Sequence, residues 1–438
     1  MKILMMTNTY VPIVGGIEKS IELLTERFRR KGHSVLIAAP VFEGMPEKED
    51  HVVRVPAIRK FNGGDFSIQL PISNELNKAL TDFRPDIVHS HHPFLMGDTA
   101  LRIANKFQIP LVFTHHTKYE DYTHYLPLDS PIIKRFVVEL STGYANLADH
   151  VIAPSQSVHQ LLITRGVESP IDVIPTGVDL NLFAKPKDIT FRSRWKIPED
   201  DFVIGHVGRL APEKNIIFLS QAITKIMKAN KRIHFLLVGK GSSQDDIQGI
   251  FRKEGLEKRV CSVGLLTGEE LINAYHAMDL FAFASETETQ GLVLAEAAAA
   301  GIPIVAVDSD GVREIVRDKI NGRMIPRAEL NEFVLALESV VNSSPEQREN
   351  MRKECLYTAH GFDLGHLSDK VLNLYNCLIQ KNTHDKHIGD TIWSNTAARL
   401  RTEWGIIKNI THSAGTALIA PKKKNRLNQI KSKRWEHY

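Results

Sequence analysis

The sequence predicts an α/β fold of two Rossmann-like, parallel-sheet domains followed by a basic tail. At 438 residues the chain is too long for one ordinary hydrophobic core. Short apolar runs alternate with helical segments along most of it, which is the pattern of a parallel sheet. Lys and Arg are concentrated at the end of the chain, where eleven stand against four Asp and Glu. We therefore expect domains at residues 1–180 and 181–381 and a tail at 382–438.

The composition is typical of a soluble globular protein, with 43% hydrophobic and 24% charged residues. No apolar stretch approaches the ~20 residues that a membrane span requires. The N-terminus enters a strand pattern directly, without the features of a signal peptide. The three cysteines are scattered and form neither a disulfide framework nor a CxxC site. These features predict a cytoplasmic protein.

A glycine pair opens the first predicted helix. A strand at residues 2–9 is followed by Gly15, Gly16 and an amphipathic helix at 17–31. Paired glycines let backbone N–H groups approach an anion, and the N-terminus of a helix favours negative charge. The dinucleotide fingerprint GxGxxG is absent, so the sequence does not predict an NAD site.

Two histidine clusters follow predicted strands of the first domain. They invite a metal interpretation, but carboxylate or thiolate ligands at short spacing are missing and HExxH is absent. We interpret His116 as a polar residue that faces a cleft, where it could bind a sugar hydroxyl or share a proton. The alternative is a histidine whose hydrogen bonds are satisfied at the sheet edge. The clusters comprise His89, His91, His92, His115 and His116.

The segment after His116 is rich in rings. An aromatic or imidazole side chain with a polar tip suits a membrane interface or an acceptor site, and it can equally fill a core. The sequence leaves both interpretations open. A predicted helix at 131–147 could add Lys134 and Arg135 to the same surface. The rings belong to Tyr119, Tyr122, His124 and Tyr125.

The second domain begins with a strand that ends at Gly208, followed by Arg209 and Lys214 before a helix. Two cations beside a glycine and a helix N-terminus predict a diphosphate site. A chance grouping of surface charges is the alternative. The P-loop pattern GxxxxGK[ST] is absent, because Asn215 follows Lys214.

The chain is organised around residues 280–301. An apolar strand at 280–284 leads into a polar turn at 285–291 and then into an Ala-rich helix. Glu288 on the turn and Glu296 on the helix could hold one ligand at two points, at the strand end where open α/β sheets bind ligands. Carboxylates accept hydrogen bonds from hydroxyls, so a sugar or ribose would fit. A solvated acidic loop is the alternative.

A metal-binding DxD tripeptide is a further possibility, at Asp308-Ser-Asp310. It follows a predicted strand after the Glu296 helix, which favours a turn at a strand end over a metal site. We therefore predict no metal ligands.

The tail carries an amphipathic helix at 391–410, with an apolar stripe and basic flanks. Such a helix can lie in a membrane interface, and the polybasic segment at 422–434 would add attraction to an anionic surface. Packing against the body of the protein and a disordered basic arm are the alternatives. Nucleic acid is not expected, because no recognised binding module accompanies the charge. The stripe comprises Trp393, Ala397, Leu400, Trp404 and Ile407.

Taken together, these motifs resemble those of the retaining glycosyltransferases of family 4. The resemblance rests on the Glu-x7-Glu spacing of Glu288 and Glu296, the run Ser-Glu-Thr-Glu-Thr-Gln-Gly, the glycine pair and the segment 208–215. It extends from residue 1 to about 381. It implies a GT-B fold, in which two Rossmann-like domains face each other across a cleft that holds a nucleotide-sugar, with no cofactor and no obligatory metal.

The resemblance also implies roles for the site residues. Gly15 and Gly16 would approach the donor phosphate, and Arg209 and Lys214 would hold the diphosphate. Glu296 would bind the ribose, Glu288 the donor sugar, and His116 would lie near the reacting sugar. The polar turn at 285–291, called the motif turn below, includes Gln290 and Gly291, and both are expected to contact substrate. Most members of the family have Phe at the position of Gln290. The predicted catalytic residues are His116, Arg209, Lys214 and Glu288.

Segment 114–125 is similar to that of diacylglycerol α-glucosyltransferases, which use UDP-glucose. This similarity implies hexose transfer to a membrane lipid, with Tyr119, Tyr122 and Tyr125 at the acceptor site and the protein on the inner face of the membrane. Lys240 stands where an acidic residue is common, and the tail has no counterpart. Polysaccharide or phosphatidylinositol-type acceptors, and a non-catalytic membrane-binding scaffold, remain alternatives.

Overall fold

The computed structural model describes residues 1–58, 68–69, 74–125, 130–386 and 392–418. The polybasic segment at 422–434 lies outside these residues, as do the side chains of Tyr125, Trp393, Ala397 and Leu400. Within the described residues two separate parallel sheets confirm the α/β class predicted from the alternating pattern.

In the described residues the N-terminal sheet has seven strands in the order β3-β2-β1-β6-β7-β8-β9, all parallel. Its central strands are buried on both faces by helices, so they read as continuous apolar runs. A separate antiparallel pair is formed by β4 (Ala57–Ile58) and β5 (Ile68–Gln69). The strands of the sheet are β1 (Lys2–Met6), β2 (Ser34–Pro40), β3 (Val52–Val55), β6 (Ile87–Ser90), β7 (Leu111–Thr114), β8 (His150–Ala153) and β9 (Ile171–Val173).

The helices of this domain cover the two faces of the sheet. Two of them begin at serine residues whose hydroxyls accept a hydrogen bond from the first turn, Ser130 and Ser155. A 3-10 helix at Tyr119–Tyr125 follows β7. The helices are α1 (Gly16–Arg30), α2 (Asn74–Phe83), α3 (Met96–Phe107), α4 (Pro131–Ala145) and α5 (Gln156–Thr164).

The C-terminal sheet has six described parallel strands in the order β12-β11-β10-β13-β14-β15. The strands are β10 (Phe202–Val207), β11 (Ile233–Val238), β12 (Val260–Gly264), β13 (Leu280–Phe283), β14 (Ile304–Val307) and β15 (Gly322–Ile325). The helices are α6 (Leu180–Phe183), α7 (Phe191–Arg194), α8 (Ile216–Ala229), α9 (Gln244–Lys253), α10 (Gly268–His276), α11 (Leu292–Ala299), α12 (Leu330–Val341) and α13 (Pro345–Ala359). The sequence pattern did not predict β15 or α13.

The chain crosses between the domains twice, and the two crossings touch. Val178 donates its N–H to the Phe362 carbonyl (2.7 Å), and Leu364 donates to the Val178 carbonyl (3.0 Å). A Cβ on Gly177 would lie 2.4 Å from the Leu364 Cα, so glycine permits this close approach. Helix α14 (Leu364–Lys386) then returns to the first domain, where Leu367, Val371, Leu372 and Tyr375 join its core.

The last described helix, α15 (Ile392–Leu418), packs on α3 and α4 of the first domain. Its buried face carries Ile406, Ser413 and Ala417, whereas Trp404 is 66% and Ile407 51% exposed. Arg102 pairs with Glu403 across this contact at 2.6 Å. Among the alternatives, packing against the body therefore describes this part of the tail, but the two residues of the predicted apolar stripe whose side chains are described, Trp404 and Ile407, are exposed. The tail boundary also differs, because residues 382–386 complete α14.

Docking of α15 depends on the absence of a side chain at Gly143. A Cβ there would lie 1.8 Å from Asn409 Oδ1, and Asn409 also donates to the Leu140 carbonyl at 2.9 Å. We expect Gly143→Leu to raise amide hydrogen exchange in α15 about tenfold, because lost helix contacts permit local opening. Gly249→Leu is the control, since a Cβ on Gly249 would meet nothing within 4 Å. Equal exchange in the two variants would contradict this account of docking.

Candidate active site

The carboxyl ends of the two sheets meet at a cleft, and the motif turn of the second domain contacts the first domain there. The Thr289 hydroxyl donates to the His116 carbonyl at 2.6 Å. The Ser155 hydroxyl, which also begins α5, donates to the Thr289 carbonyl at 2.7 Å. Lys118 forms an ion pair with Asp310 across the same boundary. Strand ends are where open α/β sheets bind ligands, so this cleft is the candidate site.

The motif turn itself is shaped by two residues of the predicted site. Gly291 begins α11 with φ +72°, a left-handed conformation that favours glycine. The Gln290 side chain accepts from the Thr176 N–H (2.8 Å) and donates to the Thr176 carbonyl (2.7 Å). Both polar ends of Gln290 are thus engaged at the domain junction, which leaves substrate contact at this position to the backbone.

Lys214 and Glu288 form an ion pair in the cleft. Their side chains are 17% and 14% exposed. Burial alone would lower the pKa of Lys214, but the charge of Glu288 outweighs it and raises that pKa. Burial likewise raises the pKa of Glu288, but the neighbouring Lys214 lowers it overall. Both groups are therefore charged, and the pair holds a fixed cation where a ligand phosphate could bind.

Arg209 is held beside this pair by a carboxylate that the sequence analysis missed. Glu213 Oε1 lies 2.6 Å from the Arg209 guanidinium, and the Glu213 side chain is 4% exposed against 49% for Arg209. The guanidinium is thus anchored on one side and accessible on the other. An Arg-Leu-Ala-Pro-Glu run with Glu four residues after Arg was the available signal, since residues so spaced can meet in a helical turn.

Glu296 lies behind the turn on α11, with 7% of the residue exposed. The hydroxyl of Tyr275, a fully buried core residue that the sequence analysis also missed, donates to Glu296 Oε2 at 2.7 Å. Burial raises the pKa of Glu296 to about 7, although this hydrogen bond lowers it. Protonation of Glu296 therefore occurs near neutral pH.

The glycine pair occupies the start of α1, as predicted. Gly15 is the N-cap residue, and a Cβ there would lie 2.6 Å from Glu18 Oε2, whereas a Cβ on Gly16 would meet nothing within 4 Å. Glu18 is 8% exposed. Burial raises the pKa of Glu18, and the positive charge of Arg209 acts in the opposite direction. The start of α1 and the cations of the second domain thus lie close enough to interact.

His116 lies at the end of β7, with its Nε2 atom 2.9 Å from His91 Nδ1. Burial lowers the pKa of His116 to about 3, so the ring is neutral at physiological pH. Its carbonyl accepts from Thr289, which places the residue at the domain boundary. The structure thus places His116 at the domain boundary as an uncharged group, with one of its ring nitrogens bonded to His91.

The tyrosines after His116 have different environments. Tyr119 is directed inward, because its ring contacts Phe94 and His115 with centroids 5.1 Å and 5.6 Å away. Its hydroxyl is buried without a partner among the described residues. Burial raises the pKa of Tyr122, and the charge of Lys214 lowers it, so Tyr122 extends from the first domain towards the cations. Tyr119 thus fills the core, which is one of the two interpretations left open by the sequence, whereas Tyr122 lies near the cations of the cleft.

His206, on β10, is a further residue that sequence reasoning missed. Its Nδ1 atom lies 3.0 Å from the Ala282 carbonyl, so Nδ1 carries the hydrogen. Burial lowers its pKa to about 4, and the charges of Lys214 and Glu288 also act on it. Its Nε2 is buried with no partner in the described part of the chain. Sequence reasoning could not identify His206 as a site residue, because a single histidine inside an apolar strand does not indicate contact with the cleft.

The acidic and histidine side chains of the cleft were also candidates for metal ligands. Within the ranges that the structure describes, no three His, Cys, Asp or Glu side chains converge in a group that could hold a metal ion. Asp308 and Asp310 instead pair with Arg313, at 2.7 Å and 3.2 Å.

Two parallel-sheet domains that face each other across a cleft are the architecture of the GT-B fold. Residues 14–182 match the family described as Glycosyltransferase Family 4, and residues 187–355 match the one described as Glycosyl transferases group 1. The chain therefore belongs to the glycosyltransferases that combine a family 4 N-terminal domain with a group 1 C-terminal domain.

Relatives extend over most of the chain. An alpha-monoglucosyldiacylglycerol synthase of Streptococcus pneumoniae is 29% identical and covers 90% of this chain and 90% of its own length. One of Acholeplasma laidlawii is 27% identical, covering 87% of this chain and 98% of its own. A GDP-mannose-dependent alpha-mannosyltransferase of Mycobacterium tuberculosis is also 27% identical, and it covers 87% of this chain and 98% of its own length.

Solved structures confirm the GT-B fold. Anabaena HepE in complex with UDP and glucose superposes with a TM-score of 0.69 at 22% identity, covering 86% of this chain and 100% of HepE. Sucrose-phosphate synthase from Thermosynechococcus elongatus superposes with a TM-score of 0.71 at 21% identity, covering 87% of this chain and 99% of the synthase.

Proposed function

We propose that this glycosyltransferase moves a hexose from a nucleotide-sugar, with UDP-glucose as the preferred donor, to a membrane lipid such as 1,2-diacylglycerol. The observation that carries the proposal is the Lys214–Glu288 ion pair, held in the cleft beside Arg209. Two of the relatives, from Streptococcus pneumoniae and Acholeplasma laidlawii, are alpha-monoglucosyldiacylglycerol synthases, which supports transfer of a glucosyl group to diacylglycerol.

The cations would bind the diphosphate of the donor. Arg209 and Lys214 supply two positive charges, and the N-terminus of α1 adds backbone N–H groups at Gly16. Glu296, with two carboxylate oxygens, would accept hydrogen bonds from ribose hydroxyls, and Glu288 would contact the sugar. These side chains supply the charge that a leaving diphosphate needs, so we propose that no cofactor and no obligatory metal takes part.

We propose that the anomeric configuration is retained. The acceptor oxygen would attack the anomeric carbon on the face from which the diphosphate leaves, while the carbon–oxygen bond to the phosphate breaks. The acceptor proton would pass to the departing phosphate oxygen. Negative charge grows on that phosphate as the bond breaks, and the fixed cations Arg209 and Lys214 would stabilise it. His116 is neutral, so it would bind the sugar without repelling the positive charge that develops on it.

A donor screen tests this proposal. The full-length protein is incubated with UDP-glucose, UDP-galactose or GDP-mannose and vesicles that contain 1,2-diacylglycerol and phosphatidylglycerol. We expect a glycolipid with UDP-glucose, and we expect it to form equally in EDTA. Transfer only from GDP-mannose would favour the function of the mannosyltransferase relatives. Sugar transfer to an added polysaccharide in the absence of lipid would favour a polysaccharide acceptor, and no nucleotide-sugar turnover at all would favour a scaffold.

Membrane contact is proposed to occur through the outer face of α15. No described helix has the length and hydrophobicity of a membrane span. Trp404 and Ile407, however, expose an apolar stripe on the side of α15 that faces away from the domain core. The polybasic segment at 422–434 follows in sequence and would add attraction to anionic lipid. Peripheral association with the membrane follows from this proposal, and the resemblance of segment 114–125 implies that it is with the inner face.

We expect Trp404→Ser with Ile407→Ser to weaken binding to vesicles of phosphatidylglycerol and phosphatidylcholine about tenfold, because the apolar face drives interfacial binding. Vesicle sedimentation measures the effect. Leu335→Ser is the matched control, because Leu335 is also an exposed apolar residue (62%) but lies on α12 of the other domain. Unchanged binding of the double variant, or an equal loss in the control, would contradict membrane contact through α15.

A further inference from the structure

The histidine cluster of the first domain contains one side chain that bonds His116 directly. His91 follows β6 and its residue is 0% exposed. Its Nδ1 atom lies 2.9 Å from His116 Nε2, and its Nε2 atom lies 3.2 Å from Met5 Sδ. The planes of the two rings are 22° from parallel and their centroids lie 5.2 Å apart, as expected for rings joined edge to edge by this hydrogen bond. His91 therefore has a defined partner on each ring nitrogen.

These partners determine which nitrogen of each ring carries a hydrogen. A neutral imidazole has one N–H, and a thioether sulfur can only accept a hydrogen bond. His91 Nε2 must then carry the hydrogen that points at Met5, because two lone pairs would otherwise face each other. His91 Nδ1 is left as an acceptor, and His116 Nε2–H is its donor. Burial keeps both rings neutral, because it lowers the pKa of His91 well below its usual value and that of His116 to about 3.

His116 consequently has a lone pair on Nδ1. Both ring nitrogens of His115 are buried without a hydrogen-bond partner among the described residues, but the Nδ1 atom of His116 is not enclosed in this way. The His116 residue is partly exposed, and it lies against the motif turn through Thr289. We propose that His91 is a positioning residue that fixes His116 in its Nε2–H tautomer, so that Nδ1 accepts a hydrogen bond from a hydroxyl of the transferred sugar. The sugar in this inference rests on the proposed function, whereas the tautomer does not.

A second layer holds the His91 ring in place. The His89 ring lies 4.1 Å from the His91 ring, centroid to centroid. His89 Nε2 is 2.7 Å from Thr114 Oγ1, and His89 Nδ1 is hydrogen-bonded to the Tyr375 hydroxyl of α14. Helix α14, which returns from the second domain, thus supports the stack from behind. Such support fixes the orientation of a side chain that in turn orients a reacting group.

The tautomer can be measured without any substrate. In the full chain with ¹⁵N-labelled histidine, long-range ¹H–¹⁵N spectra distinguish a protonated from an unprotonated ring nitrogen, and His116→Asn assigns the signals. We expect His116 to be protonated on Nε2 alone, and we expect His91→Leu to produce a mixture of tautomers at His116. A wild-type His116 protonated on Nδ1 would overturn the inference, whatever the enzyme transfers.

Kinetics test the consequence for catalysis. Asparagine can place its side-chain oxygen near the position of Nδ1, so His91→Asn retains an acceptor that His91→Leu lacks. We expect His91→Leu to lower kcat about tenfold or more, because loss of orientation costs rate, with less than about a twofold change in donor KM. His91→Asn should recover most of that loss. Equal defects in the two variants, or a defect only in KM, would show that His91 acts through packing and would overturn the inference. A protein with the expected tautomer but no sugar transfer would instead refute the proposed function alone.

Discussion

Replacing Lys214 with alanine is expected to lower kcat about 100- to 1,000-fold, since removal of one donor that stabilises developing charge has costs of this order. Lys214 is more enclosed than Arg209, the other cation of the site, because 17% of the Lys214 side chain is exposed and 49% of the Arg209 side chain. Its charge is therefore the less screened by water and the more effective on a leaving diphosphate. Steady-state assays with UDP-glucose and diacylglycerol vesicles measure the effect.

The structure also specifies the controls for this variant. Removal of Lys214 leaves Glu288 buried and unpaired, which destabilises a protein by itself. A second variant, Lys214→Ala with Glu288→Gln, removes the uncompensated charge, so it should recover thermal stability without recovering kcat. Lys228→Ala is the matched surface control, because Lys228 pairs with Glu254 in the same domain but is 57% exposed. Full activity in Lys214→Ala would remove Lys214 from the mechanism.

Glu296→Gln should have opposite effects on donor binding and on stability. Glu296 is buried with a pKa raised from 4.5 to about 7, so the folded protein binds its proton more tightly than the unfolded chain does. The stability that this proton contributes is complete below about pH 4.5 and is lost as the pH rises through about 7. Glutamine carries no charge, so Glu296→Gln should stabilise the fold at pH 8 by about 1–3 kcal/mol and have little effect at pH 5.

The same substitution is expected to weaken donor binding. Glutamine keeps one acceptor oxygen for the Tyr275 hydroxyl but replaces the other with a donor, so a ribose hydroxyl loses its partner. We expect the KM for UDP-glucose to rise about 10- to 100-fold at pH 8, in line with the loss of a hydrogen bond to a charged group. In the unsubstituted enzyme the KM should rise as the pH falls below about 7, because Glu296 becomes protonated.

Thermal unfolding and steady-state kinetics at pH 5 and pH 8 separate these two effects. Tyr275→Phe is a useful companion, because it removes the hydroxyl that donates to Glu296 Oε2. That hydrogen bond lowers the pKa of Glu296, so its loss should move the pH dependence of KM to higher pH. Destabilisation of Glu296→Gln at pH 8, or a KM that is independent of pH between 5 and 8, would contradict the proposed role of Glu296.

The fold was predictable because its signals are local. Buried parallel strands such as β11 (Ile233–Val238) are continuous apolar runs, and the turn between β13 and α11 ends at a glycine with positive φ. The polar positions of the site were also accessible to sequence reasoning, because Glu288, Glu296, Arg209 and Lys214 follow strands of one sheet. Strand ends of a parallel sheet lie on one edge, so the residues that follow them come together.

The partners of those residues were not predictable, because they depend on packing between distant segments. Tyr275 reaches Glu296 from α10, and Tyr375 reaches His89 from a helix 286 residues away.

The docked face of the tail helix α15 was not predictable either. An apolar stripe is the usual sign of the buried face of a helix. Helix α15 instead docks through Ile406 together with the small residues Ser413 and Ala417, and Gly143 lets α4 approach closely.

The most direct test of the account is the stereochemistry of the lipid product. The enzyme is incubated with UDP-glucose and vesicles that contain 1,2-diacylglycerol, and the anomeric configuration of the purified glycolipid is determined by ¹H NMR. Retention predicts an α-glucosyl diacylglycerol, which the unsubstituted protein should form and Lys214→Ala should form only in traces. A β-linked product, or glycolipid formation at an undiminished rate by Lys214→Ala, would contradict the proposed mechanism.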